Sequence, residues 1–250
     1  MAKQKTWLIG FHAVEALLQT NPELAIALSI VENTNNSTQQ RIVAAVKRHN
    51  LPVLTIDKQG LGRLCGSEQH QGIALEVKPK PELKESELVG FVQSLNGTAL
   101  LLILDQVQDP HNFGACLRTA DAAGVDAVIV PRDNAAPLTA VVQKVASGAA
   151  ATMPIYRVTN LARTMDMLKQ LGIWMIGTSD KAPHSIFQQD FTTPIALVMG
   201  AEGKGLRKLT ETKCDALVNL PMAGEIVSSL NVSVATGVCL YEVVRQRNAK

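Results

Sequence analysis

Residues 99–130, ALLLILDQVQDPHNFGACLRTADAAGVDAVIV, decide the fold class of this chain. The stretch begins with an unbroken apolar run, 99–104, which predicts a buried strand. A polar loop and a helix over 112–123 come next, and a second apolar run, 125–130, predicts the following strand. Strands that lack polar alternation are buried on both faces, as in a parallel sheet covered by helices. The stretch therefore predicts a β–α–β unit of an α/β protein.

The same alternation continues towards the carboxyl end of the sequence. The periodicity predicts helices over 138–147 and 161–171 and strands over 153–156, 173–177, 194–200 and 215–220. In open parallel sheets, ligands bind beyond the carboxyl ends of the strands. Four loops reach that edge and form the predicted site: 105–114, 177–186, 200–206 and 221–231.

The first part of the chain reads as a smaller α/β unit. Its predicted strands are 24–31, 51–56 and 72–77, and its predicted helices are 10–19, Thr38 to His49 with Thr38 as the cap, and 61–65. The segment KPKPELKESE, 78–87, has two prolines and alternating charges, which favour a linker over core. We therefore predict a first domain at 1–77, a linker at 78–97 and a second domain at 98–250.

Composition excludes several classes of protein. The net charge is only +2, with ten Lys and Arg against nine acids in residues 1–97, so neither half is a basic nucleic-acid-binding domain by bulk charge. The four cysteines are far apart and form no CxxC pair, so neither a disulfide framework nor a metal site is indicated. No apolar run approaches the roughly 18 residues that span a bilayer. We expect a soluble, cytoplasmic protein without a metal.

The loop at 105–114 and the helix after it carry two candidate polar groups. Asn112 is placed to cap the helix, since Pro110 cannot lie deep inside it. Arg118 follows in the second turn, facing roughly back towards the loop, and a guanidinium there is suited to holding a phosphate or carboxylate. The alternative for Arg118 is an ion pair with Asp105 or Asp121, and the residues alone leave both open.

Two further loops combine glycines with polar side chains. GAEGKGL, 200–206, places Glu202 among three glycines, which allow a ligand to approach the backbone. It has neither the P-loop ending nor the GxGxxG fingerprint of dinucleotide-binding proteins. In the loop at 221–231, Ser229 and Asn231 precede an apolar helix. They are either catalytic groups at a helix start or part of an ordinary connection capped by Ser228 or Ser229.

Three motifs together resemble a known family. N-F-G-x-x-x-R-T-A at 112–120, M-G-x-E-x-x-G-L at 199–206 and S-L-N-V-S-V-A at 229–235 are similar to the SpoU (TrmH) family of RNA ribose 2′-O-methyltransferases in the SPOUT superfamily. The first domain resembles an L30e-like RNA-binding domain. G-F-H-A-V-E-A-L at 10–17 and H-Q-G-I at 70–73 are similar to the branch that methylates a guanosine of 23S rRNA.

The resemblance implies a parallel sheet with a deep trefoil knot, S-adenosylmethionine as methyl donor, and a homodimer through the second domain with catalytic groups from both subunits. The catalytic residues it implies are Asn112, Arg118, Glu202, Ser229 and Asn231. The cofactor-binding residues it implies are Thr178, Met199, Gly200, Gly203, Leu220, Met222 and Leu230. His12, His70 and Gln71 are implied as RNA-contact or structural residues. A tRNA ribose methyltransferase and a non-catalytic RNA-binding protein of the same fold are the alternatives.

Overall fold

The computed structural model describes residues 6–31, 36–78, 83–226 and 228–249. The first elements in chain order are β1 (Thr6–Ile9), α1 (Phe11–Thr20), β2 (Ala25–Ile30), α2 (Ser37–Arg48), β3 (Val53–Thr55), α3 (Lys58–Cys65), β4 (Ile73–Val77), β5 (Leu83–Lys84), α4 (Glu85–Ser94), β6 (Leu100–Leu104) and α5 (Pro110–Ala122). The elements after them are β7 (Ala127–Pro131), α6 (Ala140–Val145), α7 (Ala149–Thr152), β8 (Ile155–Val158), α8 (Leu161–Gln170), β9 (Trp174–Thr178), β10 (His184–Ser185), β11 (Ile195–Met199), α9 (Lys208–Lys213), β12 (Ala216–Asn219) and α10 (Val232–Asn248). Short 3-10 helices lie at Pro22–Leu24 and Ile186–Gln188.

The chain divides into two compact units. The first consists of Met1–Pro81 and Leu138–Thr152, and the second of Glu82–Pro137 and Met153–Lys250. The short helices α6 and α7 therefore join the first unit, although they lie between two strands of the second. Gly148 illustrates how closely this segment packs in its unit, because a Cβ there would lie 2.8 Å from the Cβ of Ala13.

The first unit contains a four-stranded mixed sheet in the order β1-β4-β2-β3. Strand β4 pairs antiparallel with both β1 and β2, while β2 and β3 are parallel. Buried side chains of α1 and α2 pack with the sheet, among them Val14, Leu17, Ile42 and Val46. The predicted cap of α2 is wrong: Asn36, and not Thr38, accepts a hydrogen bond from the amide of Gln39. The sheet forms because its strands are short apolar runs that these amphipathic helices cover on one face.

The second unit contains an eight-stranded sheet in the order β10-β12-β9-β11-β6-β7-β8-β5. All of its pairings are parallel, which confirms the sheet predicted from the unbroken apolar runs. Alternate residues of β6 illustrate burial on both faces. Leu101 and Ile103 pack in a core with α4 and α8, while Leu102 and Leu104 are buried as well. Helices α5 and α10 pack against each other, and α10 also contacts β11.

The order of the strands defines where a ligand can enter. From β6 the chain adds β7 and β8 on one side, and it later adds β11 and β9 on the other. Connections after β6 and β11 therefore leave the sheet in different directions, and such a switch point opens a crevice at the carboxyl edge. Across the described part of the chain, no helix is both long and apolar enough to cross a membrane. The trefoil knot stays a prediction.

Candidate active site

A cavity of about 340 Å³ lies at the carboxyl edge of the second unit's sheet. Its wall comes from the connections after β9, β11 and β12 and from the start of α10. The volume falls at the lower end of the roughly 300–1,000 Å³ typical of small-molecule sites. Met199, Leu206, Leu220 and Val232 supply apolar wall, and the polar wall includes Ser179, Asp180 and Lys181. The cavity can accept a small molecule that has both apolar and polar parts.

The structure brings together every residue that the family resemblance implied for cofactor binding. All of them line this cavity: Thr178, Met199, Gly200, Gly203, Leu220, Met222 and Leu230. Their role in holding a cofactor stays a prediction. Sequence reasoning missed Glu211 and Ala235, which also line it, whereas Ser228 falls within the indicated loop 221–231. Ser179–Lys181 fall within the loop 177–186, which the strand-edge rule had indicated without naming residues.

Glycines make the 200–206 loop a tight turn. The amide of Ala201 donates to the carbonyl of Gly205, and the amide of Gly205 donates back to the carbonyl of Ala201. A Cβ at Gly200 would lie only 2.1–2.4 Å from backbone atoms of Gly205 and Leu206. Gly205 itself has a φ of 66°, which favours glycine. The turn therefore depends on glycine at position 200 for space and at position 205 for conformation.

Three of the candidate catalytic side chains form one hydrogen-bonded group. The side-chain amide of Asn112 donates to Oε2 of Glu202 at 2.9 Å. The side-chain amide of Asn231 donates to Oδ1 of Asn112 at 2.9 Å and to Oε1 of Glu202 at 3.3 Å. Glu202 lines the cavity, so this Asn112–Glu202–Asn231 cluster lies at its wall. Two amides thus orient one carboxylate beside the space for a ligand.

The start of α10 determines which way Asn231 points. Its Oδ1 caps the helix, accepting from the amide of Ser233 at 3.0 Å and from the hydroxyl of Ser233 at 2.7 Å. With the oxygen committed to the helix, the NH₂ group is directed at Asn112 and Glu202. The cap is therefore Asn231, and neither Ser228 nor Ser229, the two residues considered from the sequence, caps the helix. Ser229 is exposed and lines the cavity.

The prediction that Asn112 caps α5 is wrong. Asp109 is the cap, accepting from the amides of His111 and Asn112, and Pro110 is the first helical residue. Proline is well suited to that first position because it needs no amide donor there. The helix therefore begins two residues earlier than expected, which leaves the Asn112 side chain available for Glu202.

Arg118 is exposed on α5 and does not line the cavity of its own chain. Six residues of α-helix rotate a side chain by about 240°, so the side chains of Asn112 and Arg118 leave different faces of α5. The expected orientation of Arg118 towards the loop stays a prediction. Asp105, one ion-pair partner considered from the sequence, is bound by Arg207 instead.

Buried cysteines of α5 and α10 are structural. Cys116 donates to the hydroxyl of Thr236, and burial raises the pKa of Cys116 to about 11 and that of Cys239 to about 12. Neither is a thiolate at neutral pH, so neither is a nucleophile for the cavity. In the described ranges no group of three or more His, Cys, Asp or Glu residues is placed to hold a metal ion.

The residues implied for RNA contact separate into two environments. His70 is buried; its Nδ1 accepts from the amide of Gly72, and its Nε2 lies 3.2 Å from the carbonyl of Lys58. A structural role therefore accounts for His70. His12 and Gln71 are exposed, and Oε1 of Gln71 accepts from the first amide of α1. These two side chains remain available at the start of that helix.

The fold and the site define a class: an α/β protein with a ligand cavity and a polar cluster at the carboxyl edge of a parallel sheet, preceded by a mixed-sheet unit. Residues 99–241 match the SpoU rRNA methylase family, and residues 7–83 match the family described as RNA 2'-O ribose methyltransferase substrate binding. The chain belongs to the SpoU rRNA methylase family, which confirms the family indicated by the three motifs.

Relatives match over nearly the whole chain. The 23S rRNA (guanosine-2'-O-)-methyltransferase RlmB of Yersinia pestis is 48% identical over 243 residues, covering 97% of this chain and 98% of the relative. The enzyme of the same description from Escherichia coli (strain K12) is 48% identical over 241 residues, covering 96% and 98%. The crystal structure of the SpoU methyltransferase AviRb from Streptomyces viridochromogenes in complex with AdoMet has a TM-score of 0.78 at 23% identity, covering 98% of this chain and 92% of that one. That likeness confirms the fold.

Proposed function

We propose that this protein transfers a methyl group from S-adenosylmethionine to the ribose 2′-hydroxyl of a guanosine in 23S rRNA. The observation that carries the proposal is the Asn112–Glu202–Asn231 cluster at the wall of the 340 Å³ cavity. Full-length similarity to proteins described as 23S rRNA guanosine-2'-O-methyltransferases supports the substrate. An enzyme that modifies rRNA in a bacterium works in the cytoplasm, and this is the location that we propose.

The cavity fits the proposed cofactor. Met199, Leu220 and Val232 offer apolar contact to an adenine ring. The glycine turn at 200–206 exposes main-chain groups to which the polar ends of the cofactor can hydrogen-bond, since Gly200 and Gly203 have no side chain to cover them. When bound, S-adenosylmethionine supplies a methyl group already activated by its sulfonium centre. The protein then has to position the hydroxyl and stabilise the charge that develops on it.

The polar cluster performs the positioning. Asn112 and Asn231 hold the Glu202 carboxylate at the cavity wall, where it can accept a hydrogen bond from a ribose hydroxyl. Ser229, exposed at the same wall, offers a second hydroxyl partner. Such alignment can contribute roughly 7–11 kcal/mol to lowering a barrier in favourable cases.

Arg118 supplies the charge stabilisation, acting in a dimer. A charged guanidinium has no acceptor for a proton, so its role is to grip the target phosphate and stabilise the developing oxyanion rather than to act as a base. Because Arg118 does not line the cavity of its own chain, we assign this role to Arg118 of the partner subunit. The proton leaves through the phosphate or water.

An apolar stripe supports a homodimer through the second unit. Val234, Val238 and Tyr241 lie at successive turns of α10 and are 52%, 36% and 52% exposed. Side chains three and four apart share one face of a helix, so the three form a continuous patch. Beside this stripe, α10 packs on α5, where a Cβ at Gly237 would lie 3.6 Å from Thr119, the residue after Arg118. A second copy on this stripe would therefore lie beside the helix that carries Arg118.

The first unit provides the RNA contacts in this proposal. Its match to the substrate-binding family supports that role. His12 and Gln71 are its exposed candidate side chains, and the L30e-like character of the unit remains part of the proposal. Unstacked loop nucleotides are the usual target of such modules, and a 2′-hydroxyl exists only in RNA.

Transfer of a labelled methyl group tests the proposed function. The wild-type protein is incubated with labelled S-adenosylmethionine and either 23S rRNA or tRNA from cells that lack this enzyme, and the modified nucleotide is mapped. We expect label on one guanosine ribose of 23S rRNA. Label on tRNA alone would favour a tRNA methyltransferase. Binding of rRNA without methyl transfer would favour a non-catalytic RNA-binding protein.

A further inference from the structure

Asp105 is a fully buried carboxylate at the carboxyl end of β6. Its Oδ1 accepts from Nε of Arg207 at 2.8 Å and lies 2.6 Å from Nη2 of the same guanidinium. Its Oδ2 accepts from the backbone amide of Arg207 at 3.1 Å. The backbone amide of Asp105 donates to the carbonyl of Met199. One buried side chain thus holds both the main chain and the side chain of a residue 102 positions away.

This ion pair and the polar cluster both bind the connection from β11 to α9. Asp105 lies on the connection from β6 to α5 and Asn112 in the first turn of α5, and their partners Arg207 and Glu202 lie on the connection from β11 to α9. Asp105–Arg207 holds that connection at the base of the glycine turn, and Asn112–Glu202 holds it at the cavity wall. The turn between the two links, 200–206, lines the cavity.

Only the carboxylate of this ion pair is buried, because the Arg207 side chain is 43% exposed. The cost of desolvating Asp105 offsets part of the attraction, so the pair is an inefficient source of stability. Its benefit is geometric, since Nε and Nη2 of Arg207 both lie against Oδ1 while the backbone amide of Arg207 donates to Oδ2. Three donors of one residue thus meet one carboxylate, which determines where the chain leaves the glycine turn.

We propose that Asp105 and Arg207 are positioning residues for methyl transfer. Resting on the proposed function, they act through the 200–206 turn: they hold its backbone against the cofactor and keep Glu202 within reach of both asparagine amides. They do not contact the reacting atoms. Loss of the pair releases the turn and weakens both cofactor binding and turnover.

Asp215 offers a matched control on the same sheet. Its Oδ1 lies 2.6 Å from Nζ of Lys169, and its Oδ2 accepts from the backbone amide of Met175 at 2.9 Å. It thus also combines a cation with a backbone amide. However, Asp215 precedes β12, at the edge of the sheet opposite to the cavity. If the Asp105–Arg207 pair contributed only to stability, removing it or removing the Asp215–Lys169 pair would lower Tm and leave Kd and kcat unchanged.

Four full-length variants are compared with wild type: Arg207→Gln, Arg207→Lys, Asp105→Asn and the control Asp215→Asn. Calorimetry with S-adenosylhomocysteine gives Kd, the methyl-transfer assay gives kcat and KM, and thermal unfolding gives Tm. We expect Arg207→Gln and Asp105→Asn to raise Kd at least tenfold and to lower kcat, with partial recovery in Arg207→Lys. Asp215→Asn should lower Tm with Kd and kcat unchanged.

The outcomes separate this inference from the proposed function. Should Arg207→Gln and Asp105→Asn lower only Tm, leaving Kd and kcat at wild-type values, the positioning role is overturned while the activity stands. If Arg207→Gln does not fold, the test uses Arg207→Lys, which keeps the charge but not the guanidinium geometry. Its Kd for S-adenosylhomocysteine and its kcat are then compared with wild type. A wild-type protein that neither binds S-adenosylhomocysteine nor methylates 23S rRNA overturns the proposed function and this inference together.

Discussion

The side-chain nitrogen of Asn231 lies 2.9 Å from Oδ1 of Asn112, although the two residues are 119 positions apart in the chain. One residue caps α10 and the other lies in the first turn of α5, so this contact joins the starts of two packed helices. Both amides then converge on Glu202. The cluster is therefore assembled by helix packing, and each of its members can be changed without removing a large side chain from the core.

The substitution Asn231→Asp tests the role of Asn231 in the cluster without removing its role as helix cap. Aspartate keeps the oxygen that caps α10, so we expect little change in Tm. Its second oxygen replaces the donor that faces Glu202, so two carboxylates meet and the cluster opens. We expect kcat/KM to fall on the order of 100-fold, comparable with the loss of one preorganised hydrogen-bond donor. Steady-state methyl transfer to 23S rRNA measures the effect. Activity within threefold of wild type would show that the cluster is not part of the active site.

Gly200→Ala tests the space in the glycine turn. An added Cβ would overlap backbone atoms of Gly205 and Leu206, so the turn has to open and the cavity wall changes shape. We expect affinity for S-adenosylhomocysteine to fall at least tenfold, measured by calorimetry. Gly90→Ala is the control, because no atom lies within 4 Å of a Cβ there and the site is in an exposed part of α4. Equal affinity of both variants and wild type would contradict a cofactor role for this turn.

The lowered pKa of Glu242 predicts that the free energy of unfolding depends on pH. Hydrogen bonding by Arg245 lowers the pKa of Glu242 below its ordinary value of 4.5, and Gln246 contributes in the same direction against the effect of burial. A carboxyl group with a lowered folded pKa stabilises the protein above pH 4.5, and the contribution is lost as pH falls through the folded value. Glu242→Gln should therefore lower the free energy of unfolding at pH 7, with the difference shrinking below pH 4.5. Urea unfolding at several pH values measures it.

The control for that experiment is Glu225→Gln, since Glu225 is an exposed carboxyl group in a loop of the same unit. We expect it to follow the wild-type curve at every pH. A Glu242→Gln difference that stays constant from pH 7 to pH 3 would mean that the lost contact is not ionic. The pKa of Glu242 would then be unshifted by folding.

The sequence predicted the sheet and three of the loops that form the cavity wall for a physical reason, whereas the individual wall residues came from the family resemblance and the predicted loop 105–114 supplies none. Unbroken apolar runs must be buried on both faces, and parallel strands place all their carboxyl ends at one edge, so loops such as 200–206 were bound to meet there. The helix caps and the short edge strands depend on local preferences that hydrophobic periodicity does not show. Asp109 displaced Asn112 as the cap because Pro110 is best placed at the first helical position. The two-residue edge strands β5 and β10 are too short to leave a period.

The Asp105–Arg207 ion pair shows a second limit to what can be predicted from the sequence. Both residues are visible in the sequence, one after a buried strand and one after a glycine turn, but charge alone does not say which partners meet. By charge alone, Arg118, which is nearer in the chain, is an equal candidate as the partner of Asp105. The pairing follows from β6 and β11 being neighbours in the sheet, since Leu104 pairs with Met199. Strand order therefore had to be known before the ion pair could be assigned.

Mixed dimers test whether Arg118 acts in the other subunit's site. Arg118→Ala and Asn231→Asp are each expected to be inactive as homodimers, because each of their sites lacks one group. In a mixed dimer, one site combines the intact cluster of one chain with the arginine of the other, and the second site has both defects. Mixing the two variants under conditions that exchange subunits should therefore restore about a quarter of wild-type activity, since half the dimers are mixed and each has one intact site. Tyr241→Glu in both chains, which places a charge in the apolar stripe, should abolish the recovery and yield monomers by sedimentation. No recovery on mixing, with exchange demonstrated, would mean that Arg118 works within its own chain.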